Sequence, residues 1–322
     1  MVEVSGRHVT FVPPEGAAYL IGDFTDWNKR PIPLSGPVTL EFPEGAYVEY
    51  AFMDAHRKPF PDPDNPNEAQ NPWWSYPRAV TLPGHAFTEP PRPTLRRGKV
   101  HRYKLASKAF GTDRRYYVYE PPEPPEVTLF VQDGVAYYRT ARLHEVAEAL
   151  LERGEARPAR IVFVEPKDRS KEYWFNPTYE AFLLEEVLPE VERQYGPTPE
   201  RGLWGASLGA LVSAWLAFRN PEVFQLVGMQ SAALKADPHG GDSYNDPEWL
   251  TQQYARSERL PLRFYVETGV IEWLLGANRR FAGMLFDKAY PHAYHERPSG
   301  HNWVTWKQGL EPGLRYLLGP TR

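Results

Sequence analysis

Leu203-Trp204-Gly205-Ala206-Ser207-Leu208-Gly209-Ala210, LWGASLGA, sets a serine between two glycines where one apolar run ends and another begins. A Gly-Ser-Gly patch can be a plain turn, so its flanks decide the reading. Upstream, RGLW (201–204) reads as a strand; downstream, LGALVSAWLAFRNP (208–221) reads as a helix stopped at Asn220-Pro221. Gly205 and Gly209 then allow strand and helix to approach closely, and Ser207 is presented outward as a nucleophile at a strained turn. Leu208 offers a backbone N–H at the helix N-terminus, where a developing oxyanion is stabilised.

The same grammar recurs on both sides. EVTLFV (126–131), RIVFVE (160–165), LVGMQS (226–231) and LRFYVETG (262–269) are short apolar runs of the buried parallel-strand type. Between them, Leu143, Val146, Ala147, Leu150 and Leu151 recur at helical spacing, with Gly154 as a stop. A second helix is expected over 178–196, with Phe182, Leu183, Val187 and Val191 on one face. Alternating strand and helix implies an α/β fold with a mostly parallel sheet covered on both faces.

Up to about residue 85 the pattern differs. HVTFVP, AAYLIGDF, VTLEFPEG and AYVEYAFMDA are β-branched and aromatic, and Pro-Gly-Asp-Asn clusters separate them. They suggest a small all-β, immunoglobulin-like sandwich. FTEPPRPTLRRGK (87–99) carries proline and charge, as an exposed linker would. The expected organisation is therefore a sandwich over 1–90, a linker over 91–98 and the α/β domain over 99–322.

Composition excludes several classes. Net charge is −4 over 322 residues, without the basic excess of a nucleic-acid binder. The absence of cysteine removes disulfides, zinc–thiolate sites and a thiol nucleophile. MVEVSGRHVTF lacks a basic segment followed by an apolar one, and no apolar run reaches membrane-spanning length, so a cytoplasmic protein is expected.

A serine hydroxyl needs a base to become nucleophilic at neutral pH. Among nine histidines, His301 stands out, in the glycine-preceded loop RPSGHNWVTW before the last helix. His292 and His295 in HAYH suggest a metal pair, but no carboxylate–histidine pattern accompanies them, so no metal and no cofactor are expected. An acid should orient the base through Nδ1–H, and in this architecture it lies between serine and histidine in the chain. Glu267 ends the strand LRFYVETG, whereas Glu272 sits in the following loop with more freedom to reach a histidine. Glu272 is favoured.

These residues resemble the esterase D group of α/β-hydrolases, and within it the enterochelin esterases. SKAFGTDRRYYVYEPP, LFVQDGVAYY, DRSKEYWFNPTYEAFLLEEVLPEVERQYG, GASLGA, ETGVIEWLLGANRR and SGHNWVTWKQGL carry the resemblance, in order, over about 100–320. It implies an α/β-hydrolase fold and a serine carboxylic-ester hydrolase working through an acyl-enzyme on a small-molecule ester. The family acid falls in the block matching VIEWLLGANRR, which supports Glu272, although many relatives carry aspartate there. A second oxyanion donor would follow QDG, at Gly134 or Val135. Asp133 would be a structural loop residue, and Arg169 and Glu172 a loop-holding ion pair. Arg169 and Trp303 are carried as substrate contacts. Cyclic triesters of catechol siderophores are the first expected substrates; feruloyl or acetyl esters of carbohydrates, and acyl transfer, are the alternatives. A binding protein on an inactive hydrolase scaffold is the different class.

The first ninety residues resemble early-set modules found beside glycogen-active enzymes, through YLIGDFTDWNKRPIPL and YVEYAFMDAHRKPFPDPDNP. Trp27 reads as a packing residue. Trp73, Trp74 and Tyr76 in NPWWSYP are the candidates for glycan contact or for covering the junction with the next domain. The module is expected to form one wall of the active-site cleft.

Overall fold

The computed structural model describes residues 1–239 and 248–320. Two compact units emerge. The first joins Met1–Glu89 to two distant segments, Thr268–Gly276 and His295–Gln308; the second holds Pro90–Glu267, Ala277–Tyr294 and Gly309–Arg322.

In the first unit, Val2–Ser5, His8–Phe11 and Val38–Glu41 form one antiparallel sheet. Ile32–Pro33, Tyr19–Gly22, Tyr47–Met53 and Pro59–Phe60 form the other, with Arg78–Thr81 also on Tyr47–Met53. Alternation along the strands sends Val9, Phe11, Leu20, Val48, Tyr50, Phe52 and Val80 into a shared core. Ile271, from the distant segment 268–276, packs on that core. Trp273 from the same segment packs with Ile21, Trp27, Ala51 and Met53 on the opposite face of the Tyr19–Gly22 and Tyr47–Met53 pair.

The α/β-hydrolase sheet has eight strands, in the spatial order His292–Arg297, Arg263–Gly269, Leu226–Gln230, Glu200–Ala206, Val127–Val131, Ala159–Val164, Thr112–Glu120, Lys99–Ser107. From Arg263–Gly269 to Ala159–Val164 the pairing is parallel. These central strands are buried nearly throughout, which explains why they read as continuous apolar runs. Thr112–Glu120 and Lys99–Ser107 add an antiparallel hairpin at one edge. Lys99–Ser107 carries no apolar run because it is an outer strand with charged, exposed positions that blunt the edge. The residues just before it are held down: the N–H groups of Thr94, Arg97 and Gly98 donate to Glu152 and Glu148 of helix Leu143–Glu152 at 2.8, 2.5 and 3.1 Å.

Asn176 caps the following long helix by accepting from Thr178 N–H at 2.8 Å, and Pro177 occupies its first turn. The helix widens to a π turn over Phe182–Val187, just ahead of Pro189, which has no N–H to donate.

The Arg169–Glu172 pair expected from the sequence does not form. Glu172 instead receives the buried Arg114, whose Nη1 donates to Oε1 at 2.9 Å. That guanidinium also lies over Phe110 and Phe182, at 4.4 and 5.0 Å from the ring centroids, and donates to the Glu165 carbonyl at 3.2 Å. Glu172 Oε1 further accepts from the N–H groups of Lys167 and Asp168, both at 3.0 Å. A buried carboxylate takes the partner that is buried with it, and Arg169 turns elsewhere.

Removing one member of such a pair strands the other charge. Arg114→Ala is expected to destabilise the protein by about 3–5 kcal/mol, read from denaturant unfolding. Arg193→Ala, at the exposed pair with Glu190, should leave the midpoint unchanged. Burial also pushes the Glu165 carboxyl up to about 7. Its folded pKa lies above its unfolded one, so the fold holds the proton more tightly. Its contribution is full below about pH 4.5 and is lost as pH rises towards 7. Glu165→Gln should flatten the fall in melting temperature across that window; an unchanged slope would assign the fall to other groups.

Candidate active site

Strand Glu200–Ala206 meets helix Leu208–Arg219 with Ser207 as the single residue between them. Ser207 has φ 58° and ψ −121°, a conformation that costs a non-glycine residue free energy. The turn can be this tight because Gly205 and Gly209 touch: a Cβ on Gly205 would stand 2.4 Å from the Gly209 carbonyl carbon. Backbone bonds hold the bend, with Ser207 N–H donating to Gln230 O at 2.8 Å and Ala233 N–H donating to Ser207 O at 3.1 Å. Leu208 opens the helix, where the first N–H groups have no carbonyl of their own turn to reach.

The QDG loop lies beside this elbow. A Cβ on Gly209 would meet Gln132 Cβ and Asp133 Oδ2, each at 3.1 Å. Arg169 ties the loop down: its Nε donates to Asp133 Oδ1 at 2.8 Å and its Nη2 to Ala206 O at 2.9 Å, next to the serine. Asp133 N–H donates to the Tyr173 hydroxyl at 2.8 Å. Gly134 lies against the backbone of Phe163 and Val164, where a side chain would collide at 2.5 Å. The Val135 N–H donates to Glu165 Oε2 at 2.8 Å. Nothing in the residue pattern announced this carboxylate.

Glu272 and His301 are brought together in the first unit. His301 Nδ1–H donates to Glu272 Oε2, while Glu272 Oε1 accepts from Thr268 Oγ1 at 2.5 Å and Gly269 N–H at 2.9 Å. Glu272 is buried, and these donors engage both of its carboxylate oxygens. The contact with Nδ1 sets the tautomer and leaves Nε2 as the proton acceptor. Trp273 lies 4.7 Å from the His301 ring and Trp306 5.2 Å from it, centroid to centroid. Glu267 is differently engaged: fully buried, it accepts from Gln230 Nε2 and from Tyr265 OH, the latter at 2.8 Å.

Of the other candidates, Trp73 is half-exposed and packs on Trp303 and Trp306 at 5.3 and 6.2 Å, and Trp303 itself is buried. Trp74 stacks on Tyr76 and tilts against Trp27. His292 and His295 lie three apart on strand His292–Arg297, so they project to opposite faces. Among the described residues, no group of three or more His, Cys, Asp or Glu could hold a metal ion, and no helix is long and apolar enough to cross a membrane. Trp273 was missed in the sequence, although it directly follows Glu272.

Comparison with known proteins bears on the family and the fold. The family model described as putative esterase matches residues 107–317. The uncharacterized protein YjcH of Bacillus subtilis (strain 168) is 25% identical over 236 residues, covering 69% of this chain and 98% of that protein. The ferric enterobactin esterase of Salmonella typhimurium superposes with a TM-score of 0.74 at 18% identity, over 96% of this chain and 93% of that one. The enterobactin esterase of Shigella flexneri, crystallised with enterobactin, gives 0.72 at 19% identity, over 96% and 92%. A ferulic acid esterase of Anaeromyces mucronatus gives 0.55 at 18% identity, over 70% and 92%. An α/β-hydrolase sheet preceded by a β-sandwich is thus a fold shared with the enterobactin esterases. The chain belongs to the putative esterase family and is a carboxylic ester hydrolase.

Proposed function

We propose that the chain hydrolyses carboxylic esters whose acyl side carries an aromatic group, through a Ser207–His301–Glu272 triad. The observation that carries this reading is the strained backbone of Ser207 between two touching glycines, for which a plain turn has no need. Ser207 Oγ attacks the ester carbonyl carbon while His301 Nε2 takes its proton. The tetrahedral oxyanion accepts from the N–H of Leu208 and from one at Gly134 or Val135; if Val135 serves, the oxyanion displaces Glu165 from it. The intermediate collapses, the C–O bond to the alcohol breaks, and the imidazolium returns the proton to that oxygen. Water, deprotonated by His301, then attacks the acyl-serine and releases the acid. Glu272 holds the imidazole in the productive tautomer and stabilises its charged form.

The preference for an aromatic group on the acyl side rests on the indoles around the base. Trp273 and Trp306 flank His301, and Trp73 and Trp74 offer exposed faces in the same unit. Flat ring faces stack well with an aromatic acyl group. Likeness to the enterobactin esterases puts catechol siderophore triesters first and feruloyl esters second. Through Trp73 the sandwich module supplies part of the substrate wall, a role we favour over glycan binding.

Ser207→Ala should abolish hydrolysis of a short p-nitrophenyl ester, and an organophosphonate should label Ser207 alone by peptide mapping. Labelling elsewhere in an active preparation would remove Ser207 from the chemistry. Glu272→Gln should lower kcat by up to about 10⁴-fold, following the loss seen when a triad carboxylate is neutralised. Glu267→Gln should cost far less per correctly folded molecule; the reverse ranking would transfer the acid role. A panel of enterobactin, feruloyl and acetyl esters then separates the substrate classes.

A further inference from the structure

Asp23, in the sandwich, is fully buried and lies 278 residues before His301 in a chain where both belong to the same compact unit. Both neighbours of His301 seat on it. Asn302 Nδ2 donates to Asp23 Oδ2 at 2.8 Å, and a Cβ on Gly300 would stand 2.2 Å from Asp23 Cβ. Asp23 is itself fixed by the Glu49 N–H, which donates to the same Oδ2 at 2.9 Å. The rest of the loop is tied just as closely. Asn302 Oδ1 accepts from Thr305 N–H at 3.0 Å, Thr305 Oγ1 donates to Gly300 O at 2.7 Å, and Tyr47 N–H donates to Pro298 O at 3.0 Å.

We propose that Asp23 is a positioning residue for the catalytic base: by seating Gly300 and Asn302 it holds the His301 imidazole against Glu272. The inference rests on His301 being the base of the proposed triad. Packing alone is a poor reason for this side chain. Asp23 Oδ1 finds no hydrogen-bond partner among the described residues, and a buried carboxyl so placed costs more than an apolar residue of similar size. Its surroundings add to that cost: the carboxyls of Glu49 and Glu272 and the Tyr47 hydroxyl are close enough to interact with it. Burial pushes Asp23 up to about 7, and Glu49 beside it is also raised.

The test uses the full chain. Active sites are counted by phosphonate titration, so misfolded protein drops out of the rate. Asp23→Ala is expected to lower kcat per titrated site on a short p-nitrophenyl ester by about 10- to 100-fold, the scale of a small misplacement, with KM changed less than twofold. The downfield proton resonance of His301 Nδ1–H should broaden or vanish. Asp23→Asn, which keeps an acceptor oxygen for Asn302, should recover most of the rate and the resonance. If Asp23→Ala does not fold, Asn302→Ala cuts the same link from the loop side and should show the same two losses. Wild-type kcat per site with a sharp resonance, in whichever of these variants folds, would overturn the proposal. Ser207→Ala separates the two readings: full activity in that variant sinks the triad, whereas the resonance still reports whether Asp23 holds His301 on Glu272.

Discussion

A strand can pass into a helix through one residue only if the two backbones touch, and here they touch at Gly205 and Gly209. A methyl group on Gly205 would collide with the Gly209 backbone, and one on Gly209 would crowd Gln132 and Asp133 of the neighbouring loop. Much of the second unit is arranged around that contact. Gln230, on the next strand, uses its carbonyl to hold Ser207 N–H, and its side chain gathers Trp204, Tyr137 and Glu267 beneath the turn. Arg169 closes the other side through Asp133 and the Ala206 carbonyl. The strain at Ser207 persists because these bonds leave the chain no other path.

The division into compact units cuts across the chain in an informative way. The segments bearing Glu272 and His301 group with the N-terminal sandwich, not with the strands that lead into them. Ile271 and Trp273, on either side of Glu272, pack on sandwich residues, and Val304 packs with Tyr47 and Ala79. Loops that must keep two side chains such as Glu272 and His301 in contact need rigid support, and loops supply little of their own. The sandwich provides it. The module is thus part of the scaffold of the loops that carry Glu272 and His301.

Buried charges mark where the fold is most constrained. Arg114 with Glu172 and Arg169 with Asp133 are each mostly removed from water, and each makes further hydrogen bonds to backbone or side chains. Pairs of this kind add little net stability, but breaking one leaves a bare charge in a medium that solvates it poorly. Asp23 and Glu49 are the exception, two carboxyls buried near each other. They are tolerable because burial raises both towards the neutral form.

Local rules were enough to read much of this protein from its residues. Glycine spacing located the elbow, apolar periodicity located the parallel strands and the helices, and the order serine, acid, histidine narrowed the acid to Glu267 or Glu272 ahead of His301. Those signals are legible because they arise between residues a few positions apart or follow directly from burial on both faces of a sheet. Lys99–Ser107 escaped that reading, since an exposed edge strand carries no apolar run. The choice of partner for a charged side chain was decided only by the tertiary structure. Arg169 and Glu172 are three residues apart, yet each found a partner far along the chain, in Asp133 and Arg114. Glu165 reached Val135, and Asn302 reached Asp23 across 279 positions. Such pairings depend on which groups are buried together once the units form, and the linear order of residues does not encode that distance.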